Sequence, residues 1–214
     1  RGLGDVYKRQ EESDAANLEE AFAALLPGEE LAVDVNQAWT RRQALAGVEK
    51  LRHWPLLWIE EPLRCDSPVE DWAALAAAAP HPLAAGENIR SHTGFSSAII
   101  RRHLGVIQPD ICKWGGLSNC LPVARAVLKA GLRYCPHYLG GGIGLLASAH
   151  LLAAVGGDGL LEVDCNPNPL RELLAQPFPV VREGRIALSD AAGLGVEPDL
   201  DAVENLVTYR AECR

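Results

Sequence analysis

Six ionisable side chains close successive short apolar runs of this sequence: Asp34, Glu60 (followed by Glu61), Glu87, Asp110, His137 and Glu162. They stand 26, 27, 23, 27 and 25 residues apart. Acids in such places are often only helix caps or solvated loop residues, which accounts for one or two of them. It does not account for six in a row beside apolar runs, where an unpaired charge is costly. Three carboxylates brought together, those of Asp34, Glu60 and Glu87, repel one another and rise in pKa unless a cation sits between them. A set of oxygen ligands without Cys or His suits a hard divalent ion, Mg²⁺ first, with Mn²⁺ as a substitute. Asp110 and His137 form a second group. A carboxylate on one imidazole nitrogen fixes the tautomer and raises the basicity of the other, so His137 reads as a general base oriented by Asp110. His53, His81, His92, His103 and His150 lie outside this series and read as structural or exposed.

The elements that must position these groups repeat along the chain. Strand-like runs fall at 31–37 (LAVDVNQ), 56–62 (LLWIEEP), 82–88 (PLAAGEN), 105–111 (GVIQPDI), 132–137 (LRYCPH) and 160–164 (LLEVD). Between them the pattern predicts helices over 41–53, 68–79, 91–103, 117–130 and 144–155, with Pro80, Gly105, Gly131 and Gly156 at the stops. Apolar strands alternating with helices imply a parallel sheet covered on both faces. Six uninterrupted βα units favour an α/β fold of the partial (β/α)8 TIM-like type, strands 3–8 of the barrel, over an open sheet. In that fold the six groups share the C-terminal rim. After residue 165 the pattern changes to a loop, a short helix and a strand–turn–strand tail with its turn at Glu183-Gly184.

Composition narrows the function classes. A net charge of −8 leaves no basic stripe for a nucleic acid, and no apolar run is long enough for a bilayer. Six scattered cysteines, 65, 112, 120, 135, 165 and 213, lack metal or disulfide spacing and read as reduced, mostly buried thiols of a cytoplasmic protein. The sequence has no methionine, and residues 1–10 (RGLGDVYKRQ) show neither a capped helix nor a strand pattern. They read as an artefactual start to an incomplete chain. The domain boundaries expected are then 11–200 for the barrel part and 201–214 for a C-terminal tail.

In order and spacing, DVNQAW, WIEEPL, AAGEN, QPDICKWGG, CPH with LGGGIG, and LLEVD resemble the barrel motifs of the enolase superfamily over roughly residues 31–200. The resemblance implies Asp34, Glu60 and Glu87 as metal ligands and Asn36 as a substrate-binding residue beside them. An acid at position 110 with His137 one strand on, where other branches carry a lysine base, resembles the mandelate racemase branch. By the same likeness Glu162 hydrogen-bonds the substrate carboxylate, and Lys113 is structural. The implied chemistry is Mg²⁺-dependent removal of the proton α to a carboxylate through an enediolate, with His137, Asp110 and Glu162 catalytic. Acid-sugar dehydration is the preferred outcome, and racemisation or epimerisation of a 2-hydroxy acid the alternative. The second-strand Lys-x-Lys motif and the N-terminal capping domain of the family have no counterpart in these residues. The isolated chain is therefore expected to be inactive, and the full-length protein to be a homo-oligomer acting on a small carboxylate. Two other readings compete: a sugar-phosphate barrel enzyme with phosphate at Gly140–Gly142, and a non-catalytic paralogue or truncated product.

Overall fold

The computed structural model describes residues 3–211, with side chains from residue 14 onward. Two compact units divide the chain, 1–83 and 84–214.

In the first unit, helix α1 (Leu3–Ala24) precedes strand β1 (Leu31–Asp34), helix α2 (Arg41–Lys50), strand β2 (Leu56–Glu60) and helix α3 (Val69–Ala78). Strands β1 and β2 are parallel, with Val33 opposite Ile59 and Asp34 opposite Glu60. Helix α2 starts where a capping box forms: the Gln43 N–H donates to Thr40 Oγ1, and Gln43 Oε1 accepts from the Thr40 N–H at 2.9 Å. Its apolar residues Ala44 and Val48 lie buried, as do Ile59, Leu63 and Leu75. Helix α3 ends with Ala79 extended, the conformation a following proline imposes.

Strand β3 (Leu83–Ala85) leads into the second unit. Helix α4 (His92–Arg101), strand β4 (Val106–Ile107), helix α5 (Gly116–Lys129), strand β5 (Arg133–Tyr134) and helix α6 (Gly142–Val155) follow. Ala85 pairs with Ile107 and Ile107 with Tyr134, all parallel, and a further parallel bridge joins Asp110 to His137 beyond the strand ends. Ser91 caps α4 by accepting from the Gly94 N–H at 3.0 Å. Helix α6 buries Leu145, Leu146, Ala149 and Leu151. Among the described residues no helix is long and apolar enough to cross a membrane.

The five helices expected from the pattern are present within a few residues of their predicted bounds. Four expectations are corrected. Residues 3–10 carry helix α1, which the sequence pattern had not disclosed; residues 1 and 2 lie outside the described residues. Residues 160–164 form no strand ladder. Their contacts run to side chains instead: the Leu160 N–H donates to Cys135 Sγ, and Glu162 accepts from the Tyr138 N–H. Cys120 and Cys135 are buried, but Cys65, Cys112 and Cys165 are exposed; all five are free thiols, and Cys213 lies outside the described residues. In the tail, helix α7 (Pro169–Glu172) comes where a short helix was expected. The turn at Glu183-Gly184 also forms, with φ of 50° and 70° and mutual Arg182–Arg185 backbone bonds of 2.9 Å. The strands that pair are others, however: β6 (Ala175–Gln176) with β7 (Glu197–Pro198), antiparallel.

Candidate active site

In the second unit the chemistry gathers just past the ends of β3, β4 and β5. Asp110 organises it with both oxygens. Oδ1 accepts from the backbone N–H groups of Cys112 and Lys113 at 2.7 and 2.9 Å, folding the chain back after β4. Oδ2 meets His137 Nδ1 at 2.8 Å. The parallel bridge between these two residues sets that distance, because it places them side by side on adjacent strand ends.

The other ring nitrogen of His137, Nε2, lies 2.9 Å from Glu87 Oε2 and 3.9 Å from Glu162 Oε2. Asp110, Glu87 and His137 are all buried. Burial pulls the imidazole down, but the hydrogen bonds it donates to Asp110 and Glu87 and the charges of Glu162 and Glu87 outweigh it and raise the pKa to about 10. Glu87 is the counterpart: the His137 bond, against burial, and then Lys113 bring its carboxyl down to about 2. Asp110 is likewise lowered, its burial opposed by the bonds from His137, Lys113 and Cys112. With a carboxylate on each nitrogen, His137 is held as an imidazolium.

In the first unit, Asp34 and Glu60 end their strands as register partners. Asp34 Oδ1 accepts from the Asn36 N–H at 2.7 Å, and Trp58 Nε1 donates to Glu60 Oε2 at 3.0 Å. Both strand ends turn sharply. Asn36 and Gln37 have φ of 48° and 60°, and the buried Glu61 has φ of 38°. Left-handed geometry at a non-glycine, non-Asn residue such as Glu61 costs energy and is concentrated at functional sites.

Two further side chains near these groups stand outside the residues read from the sequence as the site. Lys113, read as structural, brings its Nζ onto Glu87 Oε2. Gln108 is buried, and its Oε1 has no hydrogen-bond partner; two residues before Asp110 on an extended run, it shares that residue's face. The alternation of the strand was the signal that could have found it. His81 and His150 bond the backbone carbonyls of Leu51 and Leu194, as befits structural histidines. The Gly140–Gly142 turn packs tightly: Tyr138 donates to the Gly141 carbonyl at 2.7 Å, and a Cβ on Gly142 would meet Arg171 O at 2.7 Å.

The sequence profile of the enolase C-terminal domain-like family matches residues 5–202. The chain belongs to this family. Within the superfamily its likeness is to the mandelate racemase branch, and its fold is the corresponding α/β partial TIM-like barrel. A mandelate racemase/muconate lactonizing enzyme from Bordetella bronchiseptica RB50 is 53% identical, with a TM-score of 0.86 over 91% of this chain and 54% of that one. The L-talarate/galactarate dehydratase of Salmonella typhimurium is 34% identical over 77% of this chain and 39% of its own length. The D-galactarolactone cycloisomerase of Agrobacterium fabrum is 29% identical over 84% of this chain and 50% of its own. The chain thus spans half or less of the length of these curated relatives. Relatives of this enolase-superfamily chain are acid-sugar dehydratases and cycloisomerases by name.

The family implies a divalent metal, and the donor chemistry fits one. Asp34, Glu60 and Glu87 offer oxygens only, and the buried Glu87 carboxylate already gathers two cationic partners. Among the described residues, no three or more His, Cys, Asp or Glu side chains are grouped closely enough to form a ready-made metal site.

Proposed function

We propose that the chain carries the catalytic residues for Mg²⁺-dependent removal of the proton α to a carboxylate, with dehydration of an acid sugar as the outcome. The observation that supports this best is the buried Asp110–His137 pair, 2.8 Å apart, with its second ring nitrogen facing Glu87 and Glu162. A proton α to a carboxylate is too weakly acidic for a free imidazole, so the reaction needs charge stabilisation as well as a base. Asp34, Glu60 and Glu87 are the residues that would hold Mg²⁺, or Mn²⁺ as a substitute, and the ion would supply positive charge against the charge developing on the substrate carboxylate.

The rest is done by side chains. Asp110 holds Nδ1 and orients the ring, leaving Nε2 to take the proton. His137 is kept charged here by Glu87; once that carboxylate is engaged elsewhere, Nε2 loses its second acceptor and becomes a base. The same proton can then assist departure of a β-hydroxyl, which gives dehydration from a single residue. Return of the proton from the opposite face, the racemase alternative, requires a second base that these residues do not identify. Glu162 donates to the substrate carboxylate when protonated, and Asn36 contacts the substrate beside the metal. In this reading the full-length protein is a cytoplasmic homo-oligomer acting on a small carboxylate.

The test is α-proton exchange in D₂O with Mg²⁺ over a panel of acid sugars. The full-length gene product is expected to exchange and dehydrate at least one of them. The 214-residue chain alone, half the length of its relatives or less, is expected to show no exchange. His137→Asn in the full-length protein should lower exchange by about 10²–10⁴-fold. Undiminished exchange in that variant would remove His137 as the base, and turnover by the isolated chain would contradict the fragment reading.

A further inference from the structure

Two cationic groups share one oxygen of Glu87. His137 Nε2 approaches Oε2 at 2.9 Å, and the Lys113 ammonium bonds the same atom. A buried carboxylate without a partner is strongly disfavoured, and here it has two. They differ in how firmly they are held. His137 is 6% exposed and fixed through Nδ1 by Asp110. The Lys113 side chain is 38% exposed and ends a flexible four-carbon stem, with the residue's backbone N–H anchored on Asp110.

We infer that Lys113 is a placeholder cation: it neutralises Glu87 in the metal-free chain and is displaced from that oxygen when a divalent cation binds. The inference rests on Glu87 being a metal ligand, as proposed above. Like charges on one oxygen repel, so a divalent ion at Glu87 loosens its hold on both partners: His137 stays in place through Asp110, and the more mobile one leaves. Lys113 is that partner. It therefore serves two ends: it keeps the metal-free site from holding a bare buried acid, and it competes with the metal and so lowers its affinity. Asp110 coordinates the arrangement, orienting the base with one oxygen and positioning the competing lysine with the other.

Titration calorimetry with Mg²⁺ on wild type, Lys113→Met and Lys113→Arg tests the competition. Lys113→Met should bind Mg²⁺ about fivefold more tightly than wild type, the size of a partly exposed ion pair. Lys113→Arg, which keeps the charge, should remain close to wild type. A second measurement needs no variant: reductive methylation of lysines, read by mass spectrometry with Lys50 and Lys129 as internal references. Saturating Mg²⁺ should raise modification of Lys113 several-fold while leaving the references unchanged. Mg²⁺ binding with equal affinity in wild type and Lys113→Met, or unchanged Lys113 modification at saturation, would overturn the placeholder role while leaving the metal reading intact. Absence of Mg²⁺ binding in all three proteins would overturn the metal reading, and this inference with it.

Discussion

His137 touches a carboxylate at each ring nitrogen, and the resulting shifts act on stability in opposite pH directions. Glu87 is held at about 2 against an ordinary 4.5, first by the His137 bond and then by Lys113. A depressed carboxyl contributes stability above its unfolded value and loses it as pH falls through the folded value. The acid limb therefore runs from about 4.5 down to about 2. His137, raised from 6.5 to about 10, contributes fully below 6.5, and that contribution disappears as pH climbs to about 10. The Glu87–His137 contact enters both limbs, so its energy is counted once. Urea midpoints of the metal-free chain should peak between these limbs. The gap between wild type and His137→Asn should be wide at pH 6 and narrow markedly by pH 9.5; a constant gap would show that the imidazolium contributes nothing.

At the level of elements, local rules read the helices well. The stops at Pro80 and Gly131 are breaker signals that act within a few residues, and the helices end beside them, while the caps at Thr40 with Gln43 and at Ser91 are seen in the structure. Helix α1 escaped notice because its sequence, LGDVYKRQEESDAANLEEAFAA, offers no clean apolar stripe to mark its period. The run at 160–164 was misread because strand propensity needs a partner ladder to become a strand, and there the chain makes side-chain contacts instead. Gly86 carries an element-scale prediction. A Cβ there would lie 2.5 Å from the Gln108 nitrogen and 2.6 Å from its carbonyl carbon, so β3 and β4 could not keep their spacing. Gly86→Ala should cost about 1–3 kcal/mol or more in urea unfolding. A loss within experimental error of zero would mean that the strands part without penalty.

For the whole molecule, ligand linkage separates the competing readings. A cation that binds only the folded chain stabilises it, by about 2.7 kcal/mol at a hundredfold excess over its dissociation constant. Mg²⁺ should raise the melting temperature of the chain, and inorganic phosphate should not. The Gly140–Gly142 turn is packed against Tyr138, Leu170 and Arg171, so tight loop packing already explains its glycines. Protection by phosphate where Mg²⁺ gives none would restore the sugar-phosphate reading.

The sequence by itself determined the alternation of strand and helix, the family, and the spacing that places one ionisable group after each strand. These follow from local periodicity and short motifs, which neighbouring residues encode together. Only the tertiary structure decided which atoms meet. His137 lies 27 residues from Asp110 and 50 from Glu87, and Lys113 lies 26 from Glu87, so their contacts depend on strand register and side-chain rotamers. No local pattern carries that information. It is why the contact of Lys113 with Glu87 went unnoticed until the strands were laid side by side.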